Sequence, residues 1–237
     1  MSGESAKLYV ILGSHACRAG MLMLEHKGID YEPVMLPTGG QRMLRLRGFS
    51  GGTVPALVMD GRKVQTNIAI ARFLDEVQPD PPLAPPTPET EQAERWADEV
   101  FQMAARRIAL GGYLHDPPDV IDDPDAGPLG PLLWRRPAVR RAGMRVLNRR
   151  VFNVNARTEA RLLEELPAQL ERIDAWLDAG VLGGARLHAA DYAIAPSVAL
   201  ITYRRSLKDA VEGRPAGAFA SRVLRPGGSR AVPASAS

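Results

Sequence analysis

The sequence predicts an α/β domain followed by an all-helical bundle. Three observations carry this. The first 80 residues read as strand–helix–strand and then strand–strand–helix. A run of six prolines, Pro79, Pro81, Pro82, Pro85, Pro86 and Pro88, follows them. Beyond it, helical periodicity replaces strand signals almost completely. The 237 residues, with 45% hydrophobic and 24% charged side chains, suffice for two such units without disulfides.

Each element has its own signal. "KLYVIL" from Lys7 is a β-branched and aromatic run, read as a buried strand. "CRAGMLMLEHKG" places Ala19, Leu22, Met23 and His26 at helical spacing, with Gly28 as the residue that ends the helix. "DYEPVML" is a second strand, and "PTGGQRMLRLR" a loop passing into weak helix. "GGTVPALVMDGRKVQ" reads as a hairpin turned at Asp60–Gly61. "TNIAIARFLDEV" is an amphipathic helix opened by Thr66. Proline blocks helix and sheet alike, so the proline run is a stiff linker. The expected units are residues 1–80, a linker at 81–88, a helical domain at 89–213 and a flexible tail at 214–237. Within the helical domain, helices are expected at 89–111, 137–152, 157–179 and 190–207, with a Pro/Gly/Asp-rich break at 115–131.

Composition removes several functional classes. Net charge is +3, and only Lys7, Lys27, Lys63 and Lys208 among the 30 basic residues are lysines. No basic stripe is interleaved with stacking aromatics, so no nucleic-acid partner is expected. No apolar run approaches the roughly 18–20 residues of a membrane span, and the N-terminus lacks a signal-peptide pattern. A cytoplasmic setting without membrane association is therefore expected. One cysteine and four scattered histidines make no metal cluster, so no metal is expected.

Three stretches together resemble the glutathione S-transferase family. They are "LYVILGSHACRAGMLMLEHKGIDYEPVML", "TVPALVMDGRKVQTNIAIARFLDE" and "ARLHAADYAIAP". The resemblance covers residues 7–78 well and the helical domain only around 185–200. It implies a thioredoxin-like N-terminal domain and an all-helical second domain. It also implies a transferase of detoxification type that uses glutathione as co-substrate, with no other cofactor. The expected partners are glutathione and a small electrophile, and the expected assembly is a homodimer.

The resemblance also assigns residues. Val54 and Pro55 correspond to the turn whose backbone binds the cysteinyl unit of a tripeptide thiol, as an added strand would. Gln65 and Thr66 fall at the start of the third helix-forming stretch, where exposed N–H groups suit the γ-glutamyl carboxylate. Gln41, with Arg42 and Arg45, lies where relatives contact the glycyl carboxylate. Counting back fourteen positions from Gly28 reaches Ser14, the position of the active residue in serine-type and cysteine-type classes.

A serine without a base is no nucleophile, but it can donate a hydrogen bond to a thiolate. Such a bond is worth about 1.5–3 kcal/mol. At about 1.36 kcal/mol per pKa unit, it lowers a thiol near 8.5 by roughly one to two units. The helix N-terminus adds about 0.3–1 kcal/mol.

Cys17 sits where a C-x-x-C motif keeps its second cysteine. It reads as a packed small hydrophobe, with thiol–disulfide or deglutathionylating chemistry as the alternative. A non-catalytic binding protein on the same fold is the other alternative. Tyr9 reads as core. His15 is unassigned, suiting either the site or an exposed first turn. Arg141, Arg145 and Arg149 read as a solvated face, or else a basic rim favouring acidic electrophiles. Asp191 is expected to cap a buried helix, with His188 replacing the usual Ser or Thr.

Overall fold

The computed structural model describes residues 6–11, 13–37, 40–115 and 154–224. The chain opens as a four-stranded mixed sheet in the order β2-β1-β3-β4. The strands are β1 (Ala6–Val10), β2 (Tyr31–Met35), β3 (Ala56–Met59) and β4 (Arg62–Gln65). β1 runs parallel to β2, pairing Leu8 with Pro33, and antiparallel to β3, pairing Leu8 with Leu57. Asp60 and Gly61, at φ 50° and 71°, close the β3–β4 hairpin. Helix α1 (His15–His26) provides the crossover between β1 and β2, and α2 (Asn67–Val77) follows β4. Gly28 ends the α1 region at φ +64°, its N–H donating to the Glu25 carbonyl.

Alternation along the strands sends side chains to two cores. Leu8, Val10 and Leu57 join α1, α2 and the helical half in one large cluster. Tyr9 and Ala56 face the other way, onto Leu36, Leu44 and Phe49. A 3-10 helix at Gly40–Arg47 supplies Leu44 to this second cluster. Tyr9 is thus core, as its strand position suggested, with Phe49 edge-on at 5.6 Å and Arg47 donating to its hydroxyl.

The second half is helical: α3 (Pro88–Trp96), a π-helical turn at Ala97–Phe101, α4 (Gln102–His115), α5 (Ala156–Asp178), α6 (Ala189–Thr202), α7 (Arg205–Glu212) and α8 (Pro215–Leu224). Thr87 caps α3 by accepting from the Thr90 N–H, with Pro88 at the first helical position. Trp96 and Phe101 bracket the π turn and stack at 4.9 Å. α6 is apolar nearly all round and buried along most of its length, as a central helix must be. Asp191 accepts from the N–H groups of His188 and Gly183, so the expected capping role holds from the aspartate's side.

Two expectations change. Residues 190–207 form two helices, because the chain turns between Thr202 and Arg205. The flexible tail expected from Arg214 begins instead as α8, with Phe219, Ala220 and Val223 buried against the main core. Asp174 of α5 fixes its start, accepting from Arg214 Nε and the Ala216 N–H, each at 2.8 Å. Short, widely spaced apolar residues hid this helix in the sequence. The helix expected at 137–152, with Arg141, Arg145 and Arg149, and most of the break at 115–131 lie outside the described residues.

Lys27 ties the linker down. Its side chain is fully buried, and its ammonium donates to Asp75 Oδ1 and to the carbonyls of Gln78 and Pro81, each at 2.6 Å. Three donors thus meet three acceptors. Asp75 also accepts from the N–H groups of Leu83 and Ala84. The Ala189 N–H then donates to the Leu83 carbonyl, joining the linker to the start of α6.

Candidate functional site

The site grows from the end of β1. Ser14 is the N-cap of α1, in extended geometry at φ −81° and ψ 112°. Its hydroxyl oxygen accepts from the Cys17 N–H at 3.3 Å, and its own N–H donates to the Ile11 carbonyl. Capping uses the oxygen as acceptor and leaves the hydroxyl proton available to donate. Ser14 is half-buried, at the positive end of the α1 dipole.

α1 is held against the β3 entry by close contact. A β-carbon added at Gly20 would stand 3.2 and 3.3 Å from Pro55 Cβ and Cγ, and 3.8 Å from Asn67 Oδ1. Glycine thus lets α1, Pro55 and the start of α2 meet at one point. The Val54–Pro55 bond is cis, Pro55 is buried, and Val54 is half-buried at the turn into β3.

The start of α2 is unusual. Thr66 is exposed at φ 73° and ψ 150°, a region that β-branched residues almost never occupy. Its hydroxyl accepts from the Ala69 N–H, capping the helix. Asn67, the first helical residue, is buried, and its Oδ1 has no hydrogen-bond partner among the described residues. Sequence reasoning passed over Asn67. A buried-side amide at the first position of a capped helix was the available signal.

Gln65 does not point with them. Its amide oxygen accepts from the Gly51 N–H at 2.7 Å and the Ser50 hydroxyl at 3.3 Å. Its amide nitrogen donates to the Gly51 and Thr53 carbonyls at 3.1 and 3.0 Å. Every side-chain donor and acceptor of Gln65 is engaged in the 50–53 loop. Gln41 packs against the same loop: its carbonyl lies 3.6 Å from the β-carbon position of Gly52, and its side-chain Oε1 is buried without a partner among the described residues. Arg42 and Arg45 are exposed on the 3-10 helix.

Cys17 is 1% exposed, and burial pushes its thiol up against the lowering contact with Ser14. A protonated, enclosed thiol is an inert one. His15 is buried too, so the exposed first-turn reading does not hold. Burial first, and then the charge of Arg106, lower its ring to about 3, against a hydrogen bond to the backbone of Gln102.

No helix among the described residues is long and apolar enough to cross a membrane. A cavity of about 490 Å³ lies away from Ser14, between Thr87 and Glu89 at the start of α3 and Gly180, Arg186 and His188.

Comparison with known proteins fits this arrangement. Residues 8–82 match the family described as glutathione S-transferase, N-terminal domain. Glutathione S-transferase Z1 of Arabidopsis thaliana is 39% identical over 85 residues, 35% of this chain and 38% of that one. Glutathione S-transferase Z2 of the same plant is 38% identical over 82 residues, 33% and 37% of the two chains. The chain thus spans under two fifths of the length of these relatives. Solved structures extend the likeness of fold to both halves. A glutathione S-transferase from Rhodospirillum rubrum F11 aligns at TM-score 0.63 and 23% identity, over 93% of this chain and 89% of that one. One from Ceriporiopsis subvermispora in complex with glutathione gives 0.62 and 21%, over 93% and 95%. Residues 8–82 thus match a glutathione S-transferase N-terminal domain, and the succession of sheet and helical bundle is the fold of solved glutathione S-transferases.

Proposed function

We propose that the protein is a transferase that binds glutathione on its N-terminal domain and ionises the thiol for attack on a small electrophile. The observation that carries this reading is Ser14, a capped hydroxyl at the N-terminus of α1 with a proton still to donate. Val54 would offer its backbone to the cysteinyl unit. Thr66 and Asn67 would take the γ-glutamyl carboxylate, one residue further on than the sequence reading placed that contact. A backbone forced into a positive φ at Thr66 is supporting detail, because strain of this kind collects where a ligand is held. Gln41 belongs to the glycyl side only through its place on the 3-10 helix beside Gly52.

The chemistry needs no covalent protein intermediate. Ser14 donates to the thiolate, the helix terminus favours its charge, and the bound sulfur is positioned for attack. The homodimer and the cytoplasmic setting form part of the same proposal.

Steady-state conjugation tests it. Ser14→Ala is expected to lower kcat/KM by about 10- to 100-fold, the range of one hydrogen bond to a charged group. Glutathione binding by calorimetry is expected to weaken far less. Unchanged turnover in the mutant would remove Ser14 from the mechanism, and absence of glutathione binding by the wild type would remove the function.

A further inference from the structure

The cavity between the starts of α3 and α6 lies outside everything the transferase reading uses. Its volume of about 490 Å³ falls within the roughly 300–1,000 Å³ of small-ligand clefts. Two opposite charges line it, Glu89 in the first turn of α3 and Arg186 on the approach to α6. Both residues are exposed, and neither is ion-paired, with the other or with any other described residue. Asp191 borders the same cavity, but its two oxygens accept from the Gly183 and His188 N–H groups at 2.7 and 2.8 Å. Its charge is committed to the loop. His188 supplies a second observation. It stands at the N-cap of α6, where a Ser or Thr side chain accepts from the helix, yet its ring forms no capping hydrogen bond. The Asp191 N–H turns instead to the His188 carbonyl at 3.0 Å. Ring Nδ1 is buried without a hydrogen-bond partner among the described residues, a state that costs free energy until something satisfies it. A cap residue that does not cap thus places an unsatisfied nitrogen on a residue of the cavity wall.

We propose that this cavity binds a small zwitterion, an amino acid or short peptide with both termini free. Arg186 takes the carboxylate through the parallel N–H groups of its planar fork. Glu89 takes the ammonium, and His188 Nδ1 meets the ligand's remaining polar group. Ala179 and Val181 give the apolar part of the ligand a wall. An anion alone leaves Glu89 uncompensated, and a cation alone leaves Arg186 so. A zwitterion meets both charges and keeps the balance of the cavity unchanged.

Calorimetry with three related probes tests this. Leucyl-glycine carries both charges, N-acetyl-leucyl-glycine the carboxylate alone, and leucyl-glycinamide the ammonium alone. The free dipeptide is expected to bind at least tenfold tighter than either blocked form. Arg186→Gln should weaken the dipeptide at least tenfold and leucyl-glycinamide less than threefold. Glu89→Gln should weaken the dipeptide at least tenfold and N-acetyl-leucyl-glycine less than threefold. Absence of dipeptide binding at millimolar concentration overturns the proposal, as does equal affinity for a blocked form. Asn67→Ala separates this cavity from the proposed glutathione site. Unchanged dipeptide affinity in that variant supports the cavity, whereas loss there with Arg186→Gln unaffected overturns it. Should a charge variant fail to fold by circular dichroism, the three probes on the wild type and on Asn67→Ala still decide. Neither Glu89 nor Arg186 belongs to the transferase reading, so failure here leaves that reading standing, and the reverse holds too.

Discussion

Gln65 and Thr66 are neighbours in sequence and face different tasks, and the difference is one of hydrogen-bond valence. The amide of Gln65 has two donors and two acceptor sites, all taken by residues 50–53. Replacing it by Glu removes both donors and sets a carboxylate against the Gly51 and Thr53 carbonyls. Gln65→Glu should therefore cost about 2 kcal/mol and weaken glutathione binding, measured by thermal unfolding and calorimetry. Tighter binding in the mutant would return Gln65 to a ligand role. From sequence, the segment could be located but not the direction each side chain takes, because strand β4 ends between these residues and the pleat no longer predicts orientation. Ser14 was legible because its distance to Gly28 is fixed by one helix. Asn67 was not, since its burial depends on Pro55 and Gly20 arriving from elsewhere in the chain.

Elements with local signals were the readable ones. Strand alternation, the Asp60–Gly61 turn and the cap at Thr66 all act within a few residues. α8 lacks such a signal: its burial is created by α5 and α6, distant in sequence. Gly217 shows how closely it packs, since a β-carbon there would lie 2.2 Å from the Val211 carbonyl oxygen and 2.7 Å from Glu212 Cα. Backbone cannot yield as a side-chain tip does. Gly217→Ala should destabilise by about 3 kcal/mol, the upper range for overpacking, and lower Tm by roughly 6–12 °C. A neutral effect would mean that the segment is the loose tail its composition suggests.

At the level of the whole molecule, polar groups buried between the two halves control the response to pH. His15 titrates near 6.5 when unfolded and at about 3 in the fold. A folded value below the unfolded one means that the fold accepts the neutral ring. Its contribution is complete above about pH 6.5 and is lost as pH falls towards 3. The urea midpoint of the wild type should decline across this window, and His15→Gln should flatten most of that decline. A residual slope is expected from His26, whose ring is also lowered, by burial first, at its 2.9 Å contact with Tyr192 of α6. Parallel curves for wild type and mutant would contradict the burial of His15. This interface was the least legible part of the chain. Lys27 and His15 are ordinary surface residue types, and only the docking of the halves makes them interior.

The central claim is that the reacting sulfur arrives with the substrate and is ionised by Ser14. Its most direct test is the near-ultraviolet thiolate absorbance of bound glutathione, titrated against pH in the wild type and in Ser14→Ala. The wild type should show a thiol pKa roughly one to two units below the ordinary value of about 8.5, returning most of the way in the mutant. Superimposable titrations of the two proteins would contradict it.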